Sequence, residues 1–401
     1  MQVLSLQFQG VGEWERIGIE TTNDFPRLGI IGGGQLGKML ASSAKRMGLQ
    51  VTVLDPMPQC PAFGVSDDQI VADFMDESAL RALASQSDCL TFEFDEAANS
   101  QALKELSATG YPVHPSPETL YITQSKVRQK TFLRGQGLPV PAFVVVQSQE
   151  DVCHALQEFN GHAMLKQSQG AYDGRGNWEL QGFKDLDGLE GRLNGKEFFV
   201  EEWVSFEKEL SVMVARNEQG DIATYPVAEN IHKESILDTT IVPARIPQDS
   251  RKKAEDLARK TMESLNGSGV FGIEMFLTEN NEVLINEIAP RVHNSGHYTL
   301  EACKTSQFNQ HVRAILNWPL GSTQQIFPAV MVNILGKSQG PFHLNGLSRI
   351  LQIEGAYLHI YGKKESRPRR KMGHVTVIDE DLNAALAKAE RVKRIILEEV
   401  H

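Results

Sequence analysis

A parallel α/β domain followed by a mixed α+β pair, one member small enough to act as a lid, is the fold class that this 401-residue sequence predicts. Three observations predict it. Short apolar runs alternate with helical stretches from Arg27 to about residue 125, as βαβ units require. A glycine-rich loop at 169–177 then sits among three more strand-like runs. From Glu209 to Pro243 the chain alternates as a half-buried antiparallel sheet would.

Taken in order, residues 1–25 lack the basic start and apolar stretch of a secretory signal and read as an extension. The first domain, 26–125, opens with the strand RLGIIGGG and the helix QLGKMLASSAKRMG, closed by Gly48. QVTVLD, DQIVAD and CLTFEF supply further strands. The second, 126–204, holds PAFVVVQS, HAMLKQS and EFFVEEWV around the loop QGAYDGRGN. The third, 205–401, has an amphipathic helix at 251–266, then VFGIEMFL and EVLINEI joined by a turn at TENN. It closes on a helical and strand portion that includes LHIYGKKESRPRRKMGHVTVI.

Composition narrows the function. A net charge of −11 argues against a general nucleic-acid binder, which needs surplus Lys and Arg to neutralise phosphates. The four cysteines lie far apart with no Cys-x-x-Cys pair, so a zinc ribbon or disulfide framework is not expected and a reducing, cytoplasmic setting is. No run approaches 18 apolar residues, so no membrane span is expected.

The first motif is Gly32-x-Gly34-x-x-Gly37 between a strand and a helix, with Asp55 18 residues after Gly37. It admits three readings: a dinucleotide fingerprint, an anion site at the helix start, or a turn that needs glycine for close packing. The second is a hairpin in which Glu274 stands opposite Asn286 or Glu287, depending on register. Two carboxylates ~4 Å apart repel by about 4 kcal/mol at an effective dielectric of 20. A divalent cation turns that penalty into attraction, and oxygen-only ligands favour magnesium bridged to phosphates. An exposed hairpin whose acids face water is the alternative. Upstream, Gly174 and Gly176 make the loop flexible while Asp173 and Arg175 give it both signs of charge, suited to closing over a charged substrate. Lys166 precedes it on an apolar strand and needs an anionic partner. His293, His297 and Glu301, spaced by four, invite a zinc site. Gly296 interrupts that helix, so Arg291, His293 and Asn294 better suit an oxyanion pocket. The last cluster, Lys363, Lys364, Arg367, Arg369, Arg370 and Lys371, suits either phosphate or solvent.

Together these segments resemble the N5-carboxyaminoimidazole ribonucleotide synthetase family of ATP-grasp ligases. The resemblance runs from Leu28 to His374 through GGGQLGKM, AYDGRGNW, FGIEMFL, LINEIAPRVHNSGHYT and RPRRKMGH. It implies an ATP-grasp fold: a Rossmann-like parallel α/β domain, a small lid domain and a large ATP-grasp domain. It implies ATP, bicarbonate and aminoimidazole ribonucleotide as substrates, magnesium as cofactor, and carboxyphosphate as intermediate. A homodimer, and a transient hand-over of product to the downstream mutase, are implied as well. Carried over by position, Lys126 and Lys166 would contact ATP phosphates and Glu201, Glu202, Trp203 and Val204 would form the adenine hinge, mostly through backbone. Glu209 would take the ribose and His232 would lie near the nucleotide. The loop Ala171, Tyr172, Asp173, Gly174, Arg175, Gly176 and Asn177 would close on ATP, with Tyr172, Asp173 and Arg175 reaching the ribonucleotide. Glu274 and Glu287 would hold magnesium, with Asn286 assisting. Arg291, His293 and Asn294 would be catalytic, binding bicarbonate and the intermediate. Glu93, Lys363 and Arg370 would bind the ribonucleotide, the last two by its phosphate. The chain departs from the family pattern at Ala171, where the family has Gly, at Arg369, which replaces a Gly of the closing motif, and at Lys126, often Arg.

Overall fold

The structure is a computed structural model that describes residues 25–94, 99–170, 176–186, 193 and 195–400. The extension before residue 25, and Ala171, Tyr172, Asp173, Gly174 and Arg175, lie outside the described residues.

Five strands form the N-terminal sheet in the order Asp68–Ile70, Gln50–Leu54, Arg27–Ile31, Cys89–Phe92, Val113–His114, and every pairing is parallel. Parallel strands are covered on both faces, which is why Leu28, Ile30 and Ile31 are all solvent-free. Helix Gln35–Arg46 buries Leu36, Gly37, Leu40, Ala41 and Ala44, spaced as one helical face, and carries Lys45 and Arg46 in its last turn, where the dipole favours cations. The strand order reverses between Arg27–Ile31 and Cys89–Phe92. Ligands of such sheets bind beyond the strand ends at that reversal.

The lid is an antiparallel sheet in the order Phe143–Val146, Phe198–Glu202, Ala163–Gln167, Asn177–Leu180. Helix Gln149–Glu158, started by a reciprocal Ser148/Asp151 capping box, packs Val152, Ala155 and Leu156 beneath it. Helix Lys126–Gly135 bridges the two sheets, since Val127 packs on Phe143 and Phe199 of the lid while Leu133 joins the core of the large sheet.

That large sheet runs, strand beside strand, from Val283–Ala289 through Gly269–Thr278, Phe206–Arg216, Ala228–Lys233, Ile236–Val242, Ala329–Leu335 and Lys371–Ile378 to Ala356–Ile360. Ile222–Thr224 adds to the side of Phe206–Arg216. All its pairings are antiparallel, as the alternation predicts. One expectation changes. Leu210 to Ala215 are buried without exception rather than by halves. Leu210, Val212 and Val214 enter one core under helix Gln248–Leu265, while Ala215 packs with Phe308 and Val312 on the other face. Alternation here separates two apolar cores, which the sequence cannot distinguish from core and solvent. Among the described residues, no helix is long and apolar enough to cross a membrane.

Candidate active site

The hairpin of Gly269–Thr278 and Val283–Ala289 carries the paired acids. Glu274 stands opposite Glu287, but Met275 pairs with Ile285, so Asn286 is an extra residue on the second strand. This bulge satisfies both registers open to the sequence: Asn286 and Glu287 together oppose Glu274. Burial, and next the Glu287 carboxylate, push Glu274 up to about 7. Glu287 is held low against its burial by Lys126, with which it forms an ion pair. Two carboxylates that repel, beside an amide oxygen, match the set magnesium takes when phosphates complete its shell. Among the described residues, no group of three or more His, Cys, Asp or Glu could hold a metal unaided.

Around the hairpin lie the cations expected for phosphate. Lys166 forms an ion pair with Glu201, and so does Lys130, at 2.5 Å. Glu201 is 2% exposed and Lys130 1%, so their pair is sealed from water, while Lys166 keeps a partly exposed side chain. In the hinge segment the Glu201 side chain turns inward to the two lysines. Glu202 Oε1 accepts the Ala142 N–H at 2.7 Å, and Trp203 stacks on His162 with ring centroids 4.3 Å apart. Both acids are thus spent, which leaves mainly backbone groups for a ligand. Sequence reasoning missed Lys130, although Lys126 and Lys130 are four apart on one helix, a spacing that puts them on the same face. Glu209, Asn230, His232, Glu274 and Asn286 line one recess. Burial disfavours charge on His232, yet Glu209, its ion-pair partner, and then Glu274 bring its pKa above the usual value.

The strand Val283–Ala289 runs on into Arg291 and His293. His293 Nε2 lies 3.5 Å from Glu274 Oε1, which brings the loop to the acids. Ser211 donates to Ser295 Oγ at 2.8 Å, and Ser295 Oγ is 2.9 Å from His293 Nδ1. This relay directs the Ser295 proton to Nδ1 and leaves Nε2–H toward Glu274. Burial, then Arg291 and Lys371, hold His293 neutral, well below its usual pKa. Asn294 exchanges amide hydrogen bonds with Asn333 at 3.1 and 2.7 Å, so half its polar capacity is committed to the large sheet. The zinc geometry does not form. Residues Asn294–Gly296 make a tight turn and only Thr299–Ala302 is α-helical, so His297 meets Gln307 while Glu301 meets His359 at 2.7 Å.

At the reversal of the parallel sheet the glycine motif resolves into its packing reading. Glu93 accepts the N–H groups of Leu36 and Gly37 at 3.2 and 3.1 Å, occupying the helix start where a pyrophosphate would bind. Asp55, the acid a ribose would need, accepts from Gly33 and Met57 at 2.9 and 2.8 Å. A Cβ at Gly37 would lie 2.1 Å from the Gly32 carbonyl oxygen. Burial pushes the pKa of Glu93 up, against the N–H groups of Gly37, Leu36 and Gly34 and, less strongly, the charge of Arg291, so the Arg291 loop and this sheet end share a field.

The basic segment closes over the same edge. Lys38 Nζ donates to the carbonyls of Ile360 and Tyr361 at 3.2 and 3.3 Å, and Lys364 Nζ to that of Pro58 at 3.2 Å. Lys363 donates to the Lys371 carbonyl at 2.7 Å; burial, then Arg370, bring it down to about 8 against the pull of Glu93. Arg370 Nη1 donates to the Glu365 carbonyl at 2.8 Å. Arg369, the departure from the family's glycine, sits at φ +70°. An L-residue pays about 1–2 kcal/mol there and its exposed ion pair with Glu234 returns little. Arg369→Gly is expected to raise stability by about 0.5–1 kcal/mol after glycine's own entropic cost, read as a shift in the urea midpoint. Gly176 and Asn177 anchor the near end of the glycine loop: Gly176 O accepts the Gln167 N–H at 2.8 Å and Asn177 pairs with Lys166.

Residues 25–124 match the ribonucleotide synthetase preATP-grasp domain, 131–308 the ATP-grasp domain, and 329–388 the phosphoribosylaminoimidazole carboxylase C-terminal domain. The N5-carboxyaminoimidazole ribonucleotide synthase of Bacillus subtilis is 42% identical over 88% of this chain and 91% of its own. This chain belongs to the N5-carboxyaminoimidazole ribonucleotide synthase family. The crystal structure of the Thermotoga maritima synthetase is 50% identical, with a TM-score of 0.84 over 92% of this chain and 98% of that one. The Aspergillus clavatus synthase, crystallised with ADP and 5-aminoimidazole ribonucleotide, is 33% identical with a TM-score of 0.87, over 94% of this chain and 100% of that one. The chain is thus an ATP-grasp enzyme of the synthase family, on the ATP-grasp fold that its motifs implied.

Proposed function

We propose that this enzyme carboxylates 5-aminoimidazole ribonucleotide with bicarbonate at the expense of ATP, through carboxyphosphate. A bicarbonate oxygen attacks the γ-phosphorus and the bond to the ADP oxygen breaks. The exocyclic amine of the ribonucleotide then takes the carboxyl carbon, directly or as carbon dioxide held in the closed pocket; phosphate leaves and the amine loses a proton. The observation that carries this reading is the Glu274–Glu287 pair, set between Lys126 and the His293 loop.

In this reading Lys126 and Lys166 bind the ATP phosphates, Glu209 the ribose, and the segment from Glu201 to Val204 the base. Glu274 and Glu287, with Asn286, hold magnesium, which supplies charge neutralisation on the transferring phosphoryl group. Arg291 and His293 receive bicarbonate; a neutral His293 donating from Nε2 suits an oxyanion. Glu93, Lys363, Arg370 and the loop residues Tyr172, Asp173 and Arg175 hold the ribonucleotide. Loop closure excludes water because carboxyphosphate hydrolyses readily. The reading divides the chain at 26–125, 126–204 and 205–401, and takes it as a homodimer that hands product to the next mutase. A cytoplasmic setting agrees with four cysteines that are all free thiols.

Phosphate release from ATP with magnesium and bicarbonate, followed with and without 5-aminoimidazole ribonucleotide, tests the assignment. Release should rise severalfold with the ribonucleotide and yield an acid-labile carboxylated product. Equal rates in its presence and absence would remove it as substrate.

A further inference from the structure

The loop that brings Arg291 and His293 to the paired acids is irregular, and irregular backbone holds a geometry only if something fixes it. Gln307 does so with one carboxamide. Its Oε1 accepts the His293 N–H at 2.9 Å, and its Nε2 donates to the His293 carbonyl at 2.8 Å and to His297 Nδ1 at 3.0 Å. Both peptide groups of His293 are therefore read by a single side chain, which itself is fully buried. Its own backbone is tied in as well: the Gln307 N–H donates to Thr299 Oγ1 at 2.9 Å, and that hydroxyl donates to the Gly296 carbonyl at 2.7 Å. Gly296 is fitted to the carboxamide, since a Cβ there would lie 2.4 Å from Gln307 Oε1. Ser306 caps the helix Gln307–Ile315, so the carboxamide projects from a fixed helix start.

We propose that Gln307 is the positioning residue that sets His293, and with it Arg291, at the distance from the Glu274–Glu287 pair that bicarbonate requires. The inference rests on the reading of that loop as the bicarbonate site. Gln307 touches no substrate; it acts through the backbone of His293 and through the tautomer of His297. Its three polar bonds are the reason for glutamine at this place, because a carboxylate or a hydroxyl cannot accept once and donate twice with that spacing.

The test compares Gln307→Leu, which removes all three bonds, with Gln307→Glu, which keeps the shape and the acceptor but loses the donors. Steady-state kinetics with each substrate varied in turn, and ADP binding by calorimetry, are the readouts. We expect kcat/KM for bicarbonate to fall about 100-fold in Gln307→Leu and about 10-fold in Gln307→Glu. The KM for ATP and the Kd for ADP should stay within about twofold in the same variants. A bicarbonate kcat/KM within about threefold of the parent in Gln307→Glu overturns the proposal, as does a loss that falls equally on all three substrates. Should Gln307→Leu fail to fold, the isosteric Gln307→Glu decides alone. Arg291→Lys, run in parallel, separates the two layers. If it leaves bicarbonate kinetics unchanged, the loop is not the bicarbonate site; if it abolishes turnover while the Gln307 variants do not, only the role of Gln307 fails.

Discussion

Replacing Glu274 with Gln should lower turnover by about 10³-fold while making the ligand-free protein more stable at pH 8. The two effects have one cause. In the folded chain Glu274 titrates at about 7, raised by burial and then by Glu287. An unfolded Glu titrates near ~4.3, so between those values the folded state holds a proton that the unfolded state has released. The contribution of this group to stability is thus fully present below about pH 4.3, declines as pH rises through 7, and is absent above it. The shift corresponds to on the order of 3 kcal/mol. A neutral amide removes the repulsion along with the charge that a magnesium–nucleotide complex needs. Urea unfolding at pH 5 and pH 8 should show the parent losing stability across that interval and Glu274→Gln losing less. Magnesium with ADP should stabilise the parent and leave the variant nearly unmoved. Near-parental turnover in Glu274→Gln would defeat the metal assignment.

The second large effect is expected at Lys130. Lys130→Met leaves Glu201, a 2%-exposed carboxylate, with Lys166 as its remaining ion-pair partner in this network. Removing one member of a buried ion pair costs about 3–5 kcal/mol, because the remaining charge keeps its desolvation penalty. Activity should fall as well, since Lys166 would alone balance the Glu201 charge, against its binding to the phosphates. The double variant Lys130→Met/Glu201→Leu should recover much of the stability without recovering the activity. Denaturant unfolding of the two single variants and the double, with ATP turnover alongside, separates these outcomes. Strict additivity of the unfolding energies would mean the two side chains do not share a network.

Much of the site was legible because its chemistry is written in short segments. Residue type and spacing single out the paired acids, the lysine before the glycine loop, and Arg291 with His293, and the structure sets Glu274 opposite Glu287 and near His293. Glycine-rich Gly32–Gly37 was ambiguous because its three readings share one local conformation. What separates them is whether the helix-start amides are open, and Glu93, 56 residues from Gly37, answers that. Lys130 and Gln307 escaped notice for the opposite reason. Neither belongs to a motif, and each matters through atoms contributed by distant strands and loops.

By itself the sequence determined the order of the elements, the parallel-then-antiparallel change and the family. These follow from hydrophobic period, glycine placement and local motif, all of which are properties of neighbouring residues. Only the tertiary structure decided the bulge that sets Asn286 and Glu287 together against Glu274, the inward turn of Glu201, and the closing of the basic segment over the parallel sheet. Each of those depends on which side chain can satisfy a buried charge or backbone group across the fold, and that competition has no signature along the chain.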